Sequence, residues 1–464
     1  MADDELRYDR RMSDADALLW GIEKDPLLRS TITAIALLDG PPDRARLLDK
    51  LDRGSRLIPR LRQKAVGAPL VPAPPRWVVD RHFDLDYHVR WLKAPEPGDL
   101  RTLLDIAAPI AMQSFDRARP PWEFHVVEGL QDGQAALVQK IHHSVTDGVG
   151  AVKIAMMLLD LTPDEDGPGL AGAIPDPPEA EELGPVELVT DALGHEARRQ
   201  LGIAKRMAGR AGRLVTDPVG TARSVVDLVA SAGRVMAPAF QPMSPLMAER
   251  SMSLRFDTIT APLSEMKVAA NAAGGKLNDA FVAAVLGGLR RYHDRHGVDV
   301  DALRMGMPIN IRSDDTAAVA GNQFVPTRFL VPMTIADPLE RMRVVRSLVG
   351  EQRGEPVLAS TDAVAGVLNR LPTTVVTRLF GSMLKGVDFT TSNVPGVPIP
   401  VFLCGPRLIA QYPFGPLSGA ATNITLLSYL DELHVGVNTD RAAVRDPDVF
   451  VECLQEGFDE VRKA

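Results

Sequence analysis

The stretch from Pro163 to Glu187 consists largely of Pro, Gly, Asp and Glu and holds neither Lys nor Arg, so it has too little apolar surface to order itself. It divides the chain. At 464 residues the sequence also exceeds the roughly 250–300 residues over which a single hydrophobic core grows. The expected organisation is a first half over 1–162, an acidic Pro-rich linker over 163–190, a helical connector with a basic stretch over 191–249, and a second half over 250–464.

Ser13 followed by Asp16 reads as a helix start ahead of Ala17–Trp20, and a helix over 43–58 is predicted to stop at Pro59. Short apolar runs at 32–38 and 136–141 suit buried strands. In the second half the patterning predicts strands near 305–311, 326–332 and 433–438, and helices near 280–296 and 337–353. A last helix over 448–462 has Asp446 placed to cap it and Pro447 at its first position. The fold class is therefore mixed α/β (α+β).

Apolar residues make up 45% and charged residues 24% of the chain, the balance of a globular protein. Cys404 and Cys453 can form no disulfide framework and are expected to be buried in a reducing compartment. The acidic start MADDELRYDRR has no apolar stretch behind it, so no secretory signal is expected. No apolar run approaches the ~20 residues of a spanning helix. A net charge of −8 argues against nucleic acid as a partner, and a cytoplasmic location is expected. Arg198 to Arg213 contains six basic residues and no acid. Two readings stay open for it: a helix lying on an anionic membrane or lipid-droplet surface, or a merely solvated face.

The segment Ile141-His-His-Ser-Val-Thr-Asp-Gly-Val-Gly150 follows a strand and precedes an apolar helical run over 149–159. It places His142 and His143 in a loop, where a rigid scaffold commonly displays reactive groups. An imidazole with an unperturbed pKa near 6.5 is mostly neutral at physiological pH and can take a hydroxyl proton. Asp147 can orient an imidazole or anchor the loop, and Gly148 permits a tight turn. The same residues can be read as metal ligands or as a structural histidine pair. Adjacent histidines point apart in extended backbone, and no second His-rich cluster supplies further ligands, so no metal is expected.

His142-His143-Ser-Val-Thr-Asp147-Gly148 resembles the HHxxxDG motif of CoA-dependent acyltransferases. Arg119-Pro-Pro-Trp-Glu123 is similar to the R-P-L-W-E block of the bacterial wax ester synthase/diacylglycerol acyltransferase family, with Pro121 in place of Leu. Phe83 to Arg90, Leu277-Asn-Asp279, Met307 to Arg312, Gly321 to Phe324 and Ser392-Asn-Val-Pro-Gly396 resemble further blocks of that family, in order, across nearly the whole chain.

The resemblance implies two chloramphenicol-acetyltransferase-like halves meeting at a central tunnel. It also implies His143 as general base, with His142 beside it, and Asp147 in a mainly structural role paired with Arg312. Substrate contacts are expected from Gly148, Asn278, Asp279, Ser392, Asn393 and Trp122. Each has a plainer reading: Asn278 or Asp279 as helix caps, Ser392 to Gly396 as a Pro-Gly turn, and Trp122 as a core anchor. The implied reaction moves a fatty acyl group from acyl-CoA to diacylglycerol or a long-chain alcohol. Acyl-CoA enters as substrate, and no cofactor is expected. The rivals are an amide-forming condensation domain, which shares the motif, and a silent lipid-binding module.

Overall fold

The computed structural model describes residues 9–69, 71, 73–145, 154, 157–165, 170, 174–181, 183–216, 241–310, 324–353 and 373–464. Its first half begins with α1 (Asp14–Ile22), started by Ser13 Oγ accepting the Asp16 N–H at 3.0 Å. The run Thr31–Leu38, rich in β-branched residues that suit a pleated surface, forms β1. Next comes α2 (Arg44–Leu57), capped by Asp43 and closed before Pro59. Then follow β2 (Gln63–Val66), β3 (Arg76–Val79), the short α3 (Leu85–His88), β4 (Val89–Lys93), α4 (Leu100–Met112), β5 (Trp122–Glu128) and β6 (Ala135–His142).

A long helix, α5 (Pro185–Thr216), connects the halves. The second half comprises β7 (Leu254–Pro262), α6 (Leu263–Ala272), α7 (Leu277–Arg295), β8 (Ala302–Asn310), β9 (Phe324–Pro332), α8 (Pro338–Arg353) and α9 (Thr373–Leu384). It ends with β10 (Phe389–Val394), β11 (Leu408–Phe414), β12 (Thr422–Tyr429), β13 (Glu432–Asp440) and α10 (Pro447–Arg462).

Two sheets carry the architecture. One runs β7-β13-β12-β10-β8-β9 and belongs wholly to the second half. The other runs β11-β1-β6-β5-β4, so a strand from late in the chain completes the sheet of the first half. The boundary at residue 250 therefore does not separate two closed sheets. β11 is apolar enough to be buried on either body, and β1 offers an open antiparallel edge. The crossing strand passes close over β13: a Cβ on Gly436 would lie 1.9 Å from the Pro413 carbonyl oxygen, so only glycine permits the approach. Phe256 of β7 stacks on Phe414 of β11, ring centroids 4.0 Å apart, and Arg101 of α4 reaches Asp257 of β7 at 2.7 Å. Along one face of the first sheet, α2 packs on a cluster that includes Trp122, Phe124, Ile141 and Val145; along the other, α4 packs on Ile35, Val138 and Tyr412.

Parts of the acidic stretch lie on the first half. Leu170 is buried, its carbonyl accepts from Arg53, and Glu181 pairs with Arg76. These contacts correct the expectation of an unordered linker, because partners on the folded body supply what its own composition lacks. Asp446 stands at the cap position of α10 but makes no capping bond. Its carboxylate instead accepts from Tyr292 Oη at 2.5 Å and lies 2.8 Å from His296 Nε2. Both cysteines are buried. The helical run predicted over 149–159 falls largely outside the described residues.

Candidate active site

β6 ends at His142 and the chain turns at once. Val145 N–H donates to the His142 carbonyl at 2.9 Å, which closes a four-residue turn with His143 in its second position. Neighbouring strands pin the turn on both sides. Thr31 of β1 pairs with His142. The Ser30 carbonyl accepts the His143 N–H at 2.9 Å, and the Pro121 carbonyl, just before β5, accepts the His142 N–H at 3.0 Å. The backbone of the pair is fixed while His143 remains half-buried; His142 is fully buried.

Both ring nitrogens of His142 are engaged. Ser144 N–H donates to Nδ1 at 3.0 Å, and Ser144 Oγ lies 2.7 Å from the same atom. A nitrogen that accepts an N–H carries no proton, so the ring proton sits on Nε2 and is donated to Glu23 Oε1 at 2.9 Å. The same carboxylate oxygen accepts the Ser30 N–H at 2.6 Å. Trp20 meets the imidazole edge-on at 4.8 Å and Phe115 at 6.0 Å between ring centroids.

Burial pushes the Glu23 carboxyl up, but His142, the Ser30 N–H and the Arg117 charge together outweigh it and hold the group below its ordinary range. The stability this carboxylate contributes is thus complete above its unfolded pKa and is lost as pH falls through the lowered value. Arg117 also donates to the Trp20 carbonyl at 3.1 Å and lies over the Trp20 ring at 4.6 Å. Sequence reasoning missed Glu23. It stands 119 residues from His142, and an acid at the end of a helix carries no motif.

The other expected site residues are dispersed. Asp147, Gly148 and Arg312 lie outside the described residues. Trp122 sits in the core at 1% exposure; its Nε1–H donates to the Leu61 carbonyl at 2.7 Å, and its ring stacks on His88 at 4.4 Å. Among the described residues its contacts are those of a packing anchor. Burial lowers His88 to about 4, so that ring is neutral beneath Trp122. Asp279 is also buried, its carboxylate accepting the Lys276 N–H at 2.8 Å at the start of α7, while Asn278 is half-buried.

Ser392, half-buried, and Asn393, exposed, belong to β10 itself rather than to the turn after it. The turn residue Gly396 packs against Ser428, where a Cβ would come within 1.6 Å of the carbonyl oxygen. Val394 and Val397 rest on the apolar cluster that contains Ile141 and Val145. The Ser392 segment and the histidine turn therefore share one core.

On the face of the first sheet that α4 covers, a shallow cleft open to solvent lies between the halves. Met112, Leu254, Phe256 and Phe414 line it together with Arg29, Arg250 and Asp440, and so does Thr31, whose backbone pairs with His142.

The description "wax ester synthase/diacylglycerol acyltransferase catalytic domain" matches residues 12–281. The chain belongs to this family. Its C-terminal domain description matches residues 320–462. The Mycobacterium tuberculosis (strain H37Rv) protein named "Putative diacyglycerol O-acyltransferase Rv2484c" is 38% identical over 459 residues, covering 98% of this chain and 92% of its own. The solved wax ester synthase/diacylglycerol acyltransferase from Marinobacter aquaeolei VT8 superposes with a TM-score of 0.62 at 23% identity, covering 97% of this chain and 98% of that one. The first condensation domain of the calcium-dependent antibiotic synthetase superposes at 0.63 with 14% identity, covering 98% and 96%. These two likenesses establish the shared fold of two α/β halves. Membership of the wax ester synthase/diacylglycerol acyltransferase family favours the acyltransferase reading over its condensation rival.

Proposed function

We propose that the chain is an acyl-CoA-dependent O-acyltransferase that esterifies diacylglycerol, a long-chain alcohol, or both, with His143 as general base. The observation that carries this reading is the pinned turn, which holds one imidazole half-open at the end of β6 while its neighbour is locked by Glu23 and Ser144. His143 takes the acceptor hydroxyl proton as the oxygen attacks the thioester carbonyl; the C–S bond then breaks, and the imidazolium returns the proton to the departing thiolate. Acyl-CoA is the donor and no cofactor enters the step. Ser392 and Asn393 stay candidates for substrate contact, since their segment packs on the cluster beneath the turn.

Thin-layer chromatography of products from labelled acyl-CoA with diacylglycerol, a long-chain alcohol or an amine is the test. Ester from at least one hydroxyl acceptor and no amide is the expected result. Amide from the amine alone would favour the condensation reading, and no ester at all would reject the proposal.

No helix among the described residues is long and apolar enough to cross a membrane. A peripheral contact through α5 is supported by a different observation: Val186, Leu193 and Leu201 are 75%, 55% and 64% exposed and fall on one side of the helix. The sequence continues with Lys205, Arg206, Arg210 and Arg213. An exposed apolar side followed in sequence by these basic residues supports a contact with an anionic lipid surface. Charge reversal at these four positions is expected to reduce flotation with phosphatidylglycerol vesicles and to leave turnover of a water-soluble alcohol unchanged; unaltered flotation would retire the contact.

A further inference from the structure

We infer that Glu23 is the positioning residue of the histidine pair, aiming His143 without touching the reacting atoms. One oxygen, Oε1, accepts two hydrogen bonds, from His142 Nε2–H at 2.9 Å and from Ser30 N–H at 2.6 Å. Each donor leads to His143 by a separate route. Ser30 holds the His143 N–H through its own carbonyl, and His142 is the adjacent residue whose carbonyl closes the turn. A single carboxylate therefore fixes the backbone on two sides of the imidazole that carries the chemistry.

The side chain reaches this point from the C-terminal cap of α1, 12% exposed, with Trp20 packed on the His142 ring and Arg117 supplying a compensating charge. A charged acceptor makes roughly twice as strong a hydrogen bond as a neutral one, and a displacement of about 1 Å at a catalytic group costs on the order of 10²-fold in rate.

The inference rests on His143 as base, so the experiment includes that variant. Glu23→Ala, Glu23→Gln, His143→Ala and Glu23→Ala combined with His143→Ala are compared in steady-state assays with acyl-CoA and a long-chain alcohol, with circular dichroism and thermal melting as checks on folding. Glu23→Ala is expected to lower kcat about 10²-fold with KM for acyl-CoA little changed. Glu23→Gln should recover most of the loss, because an amide oxygen accepts the same two bonds. In the His143→Ala background, losing Glu23 should cost nothing further. A folded Glu23→Ala protein with near-native kcat, Glu23→Gln as slow as Glu23→Ala, or a fully additive loss in the combined variant would each overturn the inference while leaving His143 in place. Native turnover by His143→Ala would sink the base assignment, and the positioning role with it.

Discussion

Replacing His143 with alanine is expected to leave the fold intact and to lower kcat by about 10²–10⁴-fold, the usual contribution of general acid–base catalysis. The fold should survive because the anchors at this position are main-chain bonds: His143 N–H to Ser30, His142 N–H to Pro121 and Val145 N–H to His142. None of them needs an imidazole. The apolar cluster beneath the turn, with Ile141 and Val145, keeps its packing. His143→Gln should be as slow as His143→Ala, since an amide approximates the ring's size and polarity but takes no proton at neutral pH. Steady-state rates at saturating acyl-CoA, with melting curves alongside, check both expectations; a folded His143→Ala protein at native turnover contradicts them.

The largest effect on stability is expected at Asp160, which lies just past the histidine segment and ties it to the strand exchanged between the halves. One carboxylate oxygen pairs with Lys50 of α2, and the other accepts the Cys404 N–H at 3.1 Å. The side chains of Lys50 and Asp160 are 1% and 0% exposed. Main-chain bonds join Asp160 and Phe402 in both directions at 2.8 Å, and Phe402–Cys404 leads directly into β11. Asp160→Ala leaves the Lys50 ammonium buried without that carboxylate and should cost about 3–5 kcal/mol, the penalty for breaking a buried pair from one side. Asp160→Asn, which retains an oxygen for Cys404 but no charge, should fall between native and alanine. Urea unfolding reads the difference as a shift of midpoint, and an unshifted midpoint for Asp160→Ala would remove the pair from any structural role.

Local pattern was readable from the chain wherever a single element decides it. The strand before His142, the helix started by Ser13 and the arrest of α2 at Pro59 all follow from periodicity and caps, which are properties of neighbouring residues. The motif likewise gave the family to which the chain belongs. Other features depend on partners distant in sequence. The pattern of Leu408–Phe414 is that of a buried strand in either sheet, and only the open edge of β1 decides where it goes. Asp446 has the residue type and position of a cap, yet Tyr292 and His296 compete successfully for its carboxylate. Trp122 belongs to a family block but is held in place by Leu61 and His88, a packing role that a motif does not distinguish from a binding one. Glu23 became legible only when α1 and β6 were brought side by side.

The central claim is direct transfer from acyl-CoA to a lipid hydroxyl with one imidazole as base, and thiol release followed by rapid mixing tests it most directly. Enzyme and acyl-CoA mixed without an acceptor should release no CoA in proportion to enzyme, and adding a long-chain alcohol or diacylglycerol should start release matched one for one by ester. A burst of one CoA per enzyme before any acceptor is present would mark a covalent acyl-enzyme and contradict the account.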